Sequence, residues 1–357
     1  MRLGAWFSAD WPSIERSAMN ATSDQLASAA VALCVHSPHS FTIFGSRYEV
    51  SDQGAELERE SVLNGAARAL LAEILYTTLH CRRPAGGSSA PADWPAQREF
   101  IHSLSAANTG SASWQSGWIV KGFETDGRVV AEKYGIRFWV PRCDFHPVSV
   151  PTRVGDASWV RVPKEYCGLQ PGFYLALGDA GDADGDGSET LRVYWHLWSG
   201  GAARLVESLT RRLNEAGVPF ALKLLAVPNA YPRSDAGVLY ISPLDYQEII
   251  PLLSRTYREV RPWLRQPISA FAKEIAPGLG LAEDFGNGSS FGQHRCSLLA
   301  AELTRPGMPS AGAGLERFRA VVGGLRRAGW DPERLYLNPG QPDHYPPLDL
   351  EELGADR

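Results

Sequence analysis

Between Arg192 and Tyr240 basic and phenolic side chains recur at alternate positions of strand-like runs, a pattern suited to binding an oxyanion and moving a proton. In RVYWHLW (192–198) a period of two puts Arg192, Tyr194, His196 and Trp198 on one face and Val193, Trp195 and Leu197 on the other. An apolar core has no use for the first face. In FALKLLAV (220–227) Lys223 is the only charge, flanked by Leu222, Leu224 and Leu225. Desolvation and neighbouring cations both disfavour the charged form of an amine, and an amine held neutral is a base that can take a carbon-bound proton. The turn NAYPRSDAG then sets Arg233 and Asp235 ahead of the strand GVLYI. Two arginines, a sequestered lysine and a tyrosine are thus expected to converge on one surface and form an oxyanion site.

Each of these residues also has a plainer reading. Lys223 can snorkel from a strand edge, Arg233 and Asp235 can pair with each other across their turn, and Arg192 can cover an aromatic neighbour. The segment Ser289-Ser290-Phe291-Gly292 opens a helix whose free N–H groups suit an anion, with His294 and Arg295 in its first turns. It reads equally as an ordinary Ser-capped start. Lys121 and Lys133, on an earlier hairpin, read as surface charges, although Lys133 precedes an apolar strand and could point inward. The run Asp182 to Gly187 imitates the start of a calcium loop, but the twelfth position from Asp182, where an EF-hand needs Glu, is Val193. It reads as a solvated hairpin loop. The P-loop, zincin and kinase signatures are absent from the sequence.

The elements that must position these residues follow from the hydrophobic pattern. Helical periodicity marks 22–35, 60–81, 201–217 with Gly217 as its stop, 243–264, 291–304 and 315–329. Alternation around Thr125-Asp126-Gly127 marks a hairpin over 117–141, and FYLAL adds a strand before the acidic glycine-rich loop. The segment 81–96, rich in Pro, Gly, Ser and Ala, reads as a loop or boundary, PGLGLAEDFGNGSS as a loop, and the proline-containing tail after Trp330 as surface chain. The fold class expected is α+β, with a helical N-terminal part (1–110) for partner or leader-peptide binding, an α+β domain (111–330) built on a mainly antiparallel twisted sheet flanked by helices, and an extended tail (331–357).

Composition bounds the function. A chain of 357 residues that is 44% hydrophobic can bury a large core, and its eleven Trp, twelve Tyr and thirteen Phe suit clefts that bind peptides. A net charge of −5 without a long Lys/Arg block argues against a nucleic-acid surface. Five widely spaced cysteines without C-x-x-C argue against a disulfide framework or a zinc site, and no 18-residue apolar run marks a membrane span. A cytoplasmic protein without metal is expected.

The ordered motifs R-V-Y-W, a helix ending R-L-N, P-F-A-L-K, Y-P-R-S-D-A-G-V-L-Y and S-F-G-Q-H-R resemble the HopA-type family, first known as type III secretion effectors, over about residues 115–305. Members of that family look like the lyase partners in ribosomal peptide biosynthesis, including the class V lanthipeptide and thioamitide pathways. The family is similar in fold to phosphothreonine lyases, which remove phosphate by β-elimination. The resemblance implies Lys223 as the base, Arg192, Arg233 and Arg295 as phosphate ligands, and no cofactor; His294 and Lys133, from their own positions in the sequence, are added as phosphate-binding candidates. Tyr194 falls where the lyases use a histidine as general acid, so Tyr194, His196 or His294 is left to supply that proton. The implied substrate is a precursor peptide with its leader, phosphorylated on Ser or Thr by a separate kinase-like protein of aminoglycoside-phosphotransferase type. The alternative is a non-catalytic scaffold of the HopA effector type that binds phosphopeptide or kinase.

Overall fold

The computed structural model describes residues 21–51, 61–83, 94–133, 135–181, 189–231, 233–284, 290–309 and 313–349. Along the chain run α1 (Ala21–Ala32), β1 (Cys34–Ser37), β2 (Ser40–Ile43), β3 (Ser46–Glu49), α2 (Gly65–Leu75) and α3 (Trp94–Ala107). There follow β4 (Ser113–Phe123), β5 (Val129–Lys133), β6 (Ile136–Val140), β7 (Ala157–Val162), β8 (Glu165–Tyr166), β9 (Phe173–Leu177) and β10 (Thr190–Trp195). The rest are α4 (Ala202–Glu215), β11 (Ala221–Leu225), β12 (Gly237–Ile241), α5 (Tyr246–Val260), β13 (Lys273–Ala276), β14 (Leu279–Asp284), α6 (Phe291–Leu303) and α7 (Gly314–Arg327). The class is α+β, as expected. Two compact units share these elements: the first comprises 1–88, 232–235 and 266–344, the second 89–231, 236–265 and 345–357.

In the second unit the strands run in the order β10-β12-β11-β9-β8, paired antiparallel. On one face of this sheet Leu191, Val193, Trp195, Leu222, Leu224, Leu239 and Ile241 are fully buried. Helix α4 covers that face, because a Cβ added to Gly237 would meet Leu205 Cδ2 at 3.2 Å. An ion pair between Arg212 Nη2 and Glu259 Oε1 (2.6 Å) ties α4 to α5. A second antiparallel sheet, ordered β6-β5-β4-β7, turns Trp118, Val120, Val129, Ala131, Val140, Val160 and Val162 into a common core with Leu177, against which Tyr166, Leu175 and Ala221 also pack. That core lies on the other face of the first sheet, at its β8–β9 end.

In the first unit α1 packs on α7 and α2 on α6, beside the small antiparallel sheet β1-β2-β3 and the hairpin β13–β14. Asn64 caps α2 by accepting from Ala67 N at 2.8 Å, and a π-helical turn, Tyr76–His80, extends it.

Several sequence expectations need correcting. The N-terminal part contains the sheet β1-β2-β3 as well as helices, and α3 begins at Trp94, inside the segment read as a loop. LGLAED, also read as a loop, is the buried strand β14. The strand over 192–198 ends at Trp195, beyond which Leu197 makes only an isolated bridge to Leu264. From Asp331 to Asp349 the chain forms neither helix nor strand, yet it does not simply lie on the surface: Leu335, Leu337, Tyr345 and Leu348 are buried. The acidic loop with Asp182 to Gly187 lies outside the described residues.

Candidate functional site

Strand register decides which of the candidate residues meet. Side chains of directly paired residues in an antiparallel sheet project from the same face. Tyr194 pairs with Val238, Val238 with Lys223, Lys223 with Leu175 and Leu175 with Tyr166, so these five form one row across the second unit's sheet. Arg192, Tyr240, Ala221 and Leu177 form the adjoining row on the same face. Arg192, Tyr194 and Lys223 therefore share a face, opposite the one covered by α4. Tyr194 and Lys223 are two strands apart, about 10 Å between backbones.

Two aromatic rings hold the cations of this face. The Arg192 guanidinium stands over the Tyr240 ring at 5.1 Å, and the Lys223 ammonium over the Phe173 ring at 3.9 Å. Both distances lie within the range of a cation–π attraction. Arg192 and Lys223 are half-buried, while Tyr194 is almost wholly covered. His196 is buried past the end of β10, where its carbonyl accepts from Arg265 N at 2.7 Å; the Arg265 guanidinium stacks on the exposed Trp198 at 3.8 Å. Lys133 follows Val129 and Ala131 on the inward face of β5 and donates to the buried Gln115 Oε1 at 3.4 Å, so the inward of its two sequence readings is the one observed.

The remaining candidates belong to the first unit. Arg233 clasps Asp235 through two bonds, Nε to Oδ1 at 2.6 Å and Nη2 to Oδ2. Its Nη2 also reaches Cys81 Sγ (3.3 Å) and Tyr76 OH (3.5 Å), the latter a further donor to Asp235. Burial alone would raise the Asp235 carboxyl, but the bonds and charge of Arg233 outweigh it and hold the group below the ordinary aspartate range. Burial and then the Asp235 charge push the Cys81 thiol up to about 12, so it is not a ready nucleophile. Next to this cluster His80 is buried, with Nδ1 on Ser269 Oγ at 2.8 Å and its ring stacked on Tyr76.

The start of α6 is closed by a capping box: Ser290 Oγ accepts from Gln293 N and Gln293 Oε1 accepts from Ser290 N, each at 3.3 Å. Arg295 is 2% exposed and donates to the carbonyls of Leu335 (2.8 Å) and Leu337 (3.3 Å), with its guanidinium on the rings of Trp330 (4.1 Å) and Phe291 (4.7 Å). It anchors the chain that follows α7. His294 Nδ1 takes a bond from Arg295 Nη1 at 2.8 Å, and burial and that neighbouring charge push the imidazole below its ordinary value. Tyr240 and Phe173, which hold the cations, are not singled out by the sequence; their only signal is that each occupies an alternate position of a short strand, and the register that brings them to Arg192 and Lys223 is not written locally.

Among the described residues no group of His, Cys, Asp and Glu is arranged to hold a metal ion, and no helix is long and apolar enough to cross a membrane.

Residues 167–337 match the profile of the HopA1 effector protein family, and the resemblance read from the motifs holds over that stretch. It includes Arg192, Tyr194, Lys223, Arg233 and Arg295. Among the similar solved structures are two effector proteins from Pseudomonas syringae. The one from pv. tomato strain DC3000 is 16% identical, with 76% of this chain and 90% of that chain covered and a TM-score of 0.46. The one from pv. syringae strain 61 is 13% identical, with 76% and 96% covered and a TM-score of 0.43. No curated protein matches the chain.

Proposed function

We propose that the protein is a phosphoserine and phosphothreonine lyase that acts in the cytoplasm on a ribosomally made precursor peptide. The observation that carries this reading is the common face of Arg192, Tyr194 and Lys223 on one sheet, with guanidinium, phenol and amine in adjoining rows. In the reaction Lys223, as the free amine, takes the Cα proton of the phosphorylated residue. The electron pair left on Cα forms the Cα–Cβ double bond as the Cβ–O bond breaks. Arg192 binds the phosphate and stabilises the charge gathering on the departing oxygen. Tyr194, in the row of Lys223, is better placed to protonate that oxygen than His196 beyond the strand end. The products are dehydroalanine or dehydrobutyrine and inorganic phosphate. The phosphate is put on by a separate protein, kinase-like and of aminoglycoside-phosphotransferase type as the family resemblance implies, with which this chain works on the leader-bearing peptide.

The test is incubation with a phosphothreonine peptide, alone and with the partner kinase, followed by mass spectrometry for a loss of about 98 Da, the mass of phosphoric acid. Lys223→Ala is expected to keep phosphopeptide binding and lose elimination, a fall in kcat of at least about a hundredfold for removal of a general base. Turnover unchanged in that variant removes Lys223 from the mechanism.

One observation favours a second reading, a non-catalytic scaffold that binds phosphopeptide or kinase. Contact with the Phe173 ring favours the charged ammonium of Lys223, and a charged ammonium binds phosphate but takes no proton. Tight phosphopeptide binding with no mass loss at any pH, even with the kinase present, selects the scaffold over the lyase.

A further inference from the structure

Lys223 reaches its aromatic partner in a particular direction. Its backbone pairs with Leu175 of β9 on one side and Val238 of β12 on the other. Phe173 also belongs to β9, where it pairs with Leu225, and it shares the face of Lys223. The ammonium lies 3.9 Å from the centre of that ring. The amine is thus drawn toward β9, away from the strand that carries Arg192 and Tyr194, by a distance on the order of one strand spacing, about 4.8 Å. The ring is well placed to hold it there: Phe173 lies at the start of β9, where Ala226 N donates to Gly172 O at 2.8 Å and pins the strand beside β11. A ring face attracts an ammonium through its quadrupole and gives no such attraction to a neutral amine.

We infer that Phe173 is a positioning residue for Lys223: its ring parks the amine, charged, on the β9 side of the sheet, and the base becomes available when the amine leaves the ring. This rests on the reading of Lys223 as the base and adds to it a resting position and a residue that sets it. A ring that favours the inactive form makes the amine's release part of substrate engagement, since a phosphate held at Arg192 offers an opposite charge on the other side of Lys223.

The experiment compares Phe173→Leu, which removes the quadrupole while keeping an apolar side chain, with Phe173→Tyr, which keeps an aromatic face. Amines are acetylated with a limiting amount of acetic anhydride across a pH series, and modification at Lys223 is followed by peptide mass spectrometry, with Lys121 and Lys164 in the same digest as internal standards. In Phe173→Leu the midpoint of Lys223 labelling is expected to move to lower pH, with labelling below the midpoint at least about threefold faster than in the parent chain. In Phe173→Tyr it is expected to stay near the parent. A loss of packing alone raises accessibility and hydrates the ammonium better, which moves the midpoint up if at all, so the direction of the shift separates positioning from loosening. An unchanged midpoint in Phe173→Leu, or the same displacement in both variants, overturns the inference. Elimination is measured in parallel, and the limb on which its rate rises with pH is expected to move with the labelling midpoint. If the parent chain eliminates no phosphate at any pH, the lyase reading fails by that result, while the labelling data still decide whether the ring controls the amine.

Discussion

Arg233 and Asp235 stand two residues apart, and their most ordinary fate, pairing with each other, is what the structure shows. What the spacing could not reveal is how deeply they are sunk: the pair is closed in by Tyr76 and Cys81, from a segment more than 150 residues earlier in the chain. A carboxylate so buried tolerates its charge only because of the guanidinium. Arg233→Ala leaves Asp235 without that partner and is expected to cost about 3–5 kcal/mol, read as a lowered midpoint in urea. The pH dependence has a definite sign. The folded-state carboxyl of Asp235 lies below its unfolded value, so its contribution to stability is complete above the ordinary aspartate range and disappears as pH falls through the depressed folded value. The parent chain therefore loses this increment on acidification, and Arg233→Ala has less of it to lose. An equal urea midpoint for both proteins at neutral pH shows that the pair contributes nothing. At the same scale, alternation on β10 is legible and correctly groups Arg192 with Tyr194. The partners Tyr240 and Phe173 are not, because pairing between strands is set by long-range register and leaves no mark within either strand.

Elements are legible in proportion to the strength of their own pattern. Helices α4 and α5 present continuous buried stripes, Leu205, Leu209 and Leu213 on one and Ile249, Leu253, Tyr257 and Val260 on the other, and Gly217 closes the first at a φ of +67° that suits glycine. The strands β1, β2 and β3 escape notice because each has only four residues, CVHS, SFTI and SRYE, too short and too polar for alternation to stand out. Strand β14 has buried residues at every position, so it lacks alternation altogether and looks like a glycine-containing loop. Helix α6 combines a legible cap with a hidden constraint. Ser290→Ala breaks the capping box and is expected to cost about 1 kcal/mol. Gly292, which nothing in the sequence distinguishes from other helix glycines, lies so close to His80 that an added Cβ would stand 2.3 Å from Cδ2 of the ring. Since His80 is buried against Ser269 and Tyr76, it cannot yield cheaply. Gly292→Ala is expected to destabilise by about 1–3 kcal/mol despite alanine's better helix propensity. A thermal midpoint for Gly292→Ala equal to or above the parent's contradicts this packing.

At the scale of the molecule, the order of the chain and the order of the fold diverge. Neither compact unit is a continuous stretch: 232–235 and 266–344 belong with the N-terminal segment, while 89–231, 236–265 and the chain after 344 make the other unit. A reading from composition places boundaries where the chain turns polar or proline-rich, and it cannot see a four-residue excursion such as Pro232–Asp235 that serves the other unit. This interleaving bears on the family-matched stretch, 167–337. Expressed alone, that fragment lacks β4 to β7, whose inward residues Trp118, Val120, Val129, Ala131 and Val160 form the core around Leu175 and Leu177. It also lacks α1 and α2, against which α7 and α6 pack. Both losses expose apolar surface that the fragment has no other means to cover, at about 25 cal/mol for each Å² returned to water. The fragment is therefore expected to bind 8-anilinonaphthalene-1-sulfonate strongly and to melt without a cooperative transition, whereas 21–349 melts cooperatively and binds the dye weakly. A sharp, two-state melt of 167–337 with little dye binding would show that the second sheet and the N-terminal helices are additions to a self-sufficient core instead of parts of it.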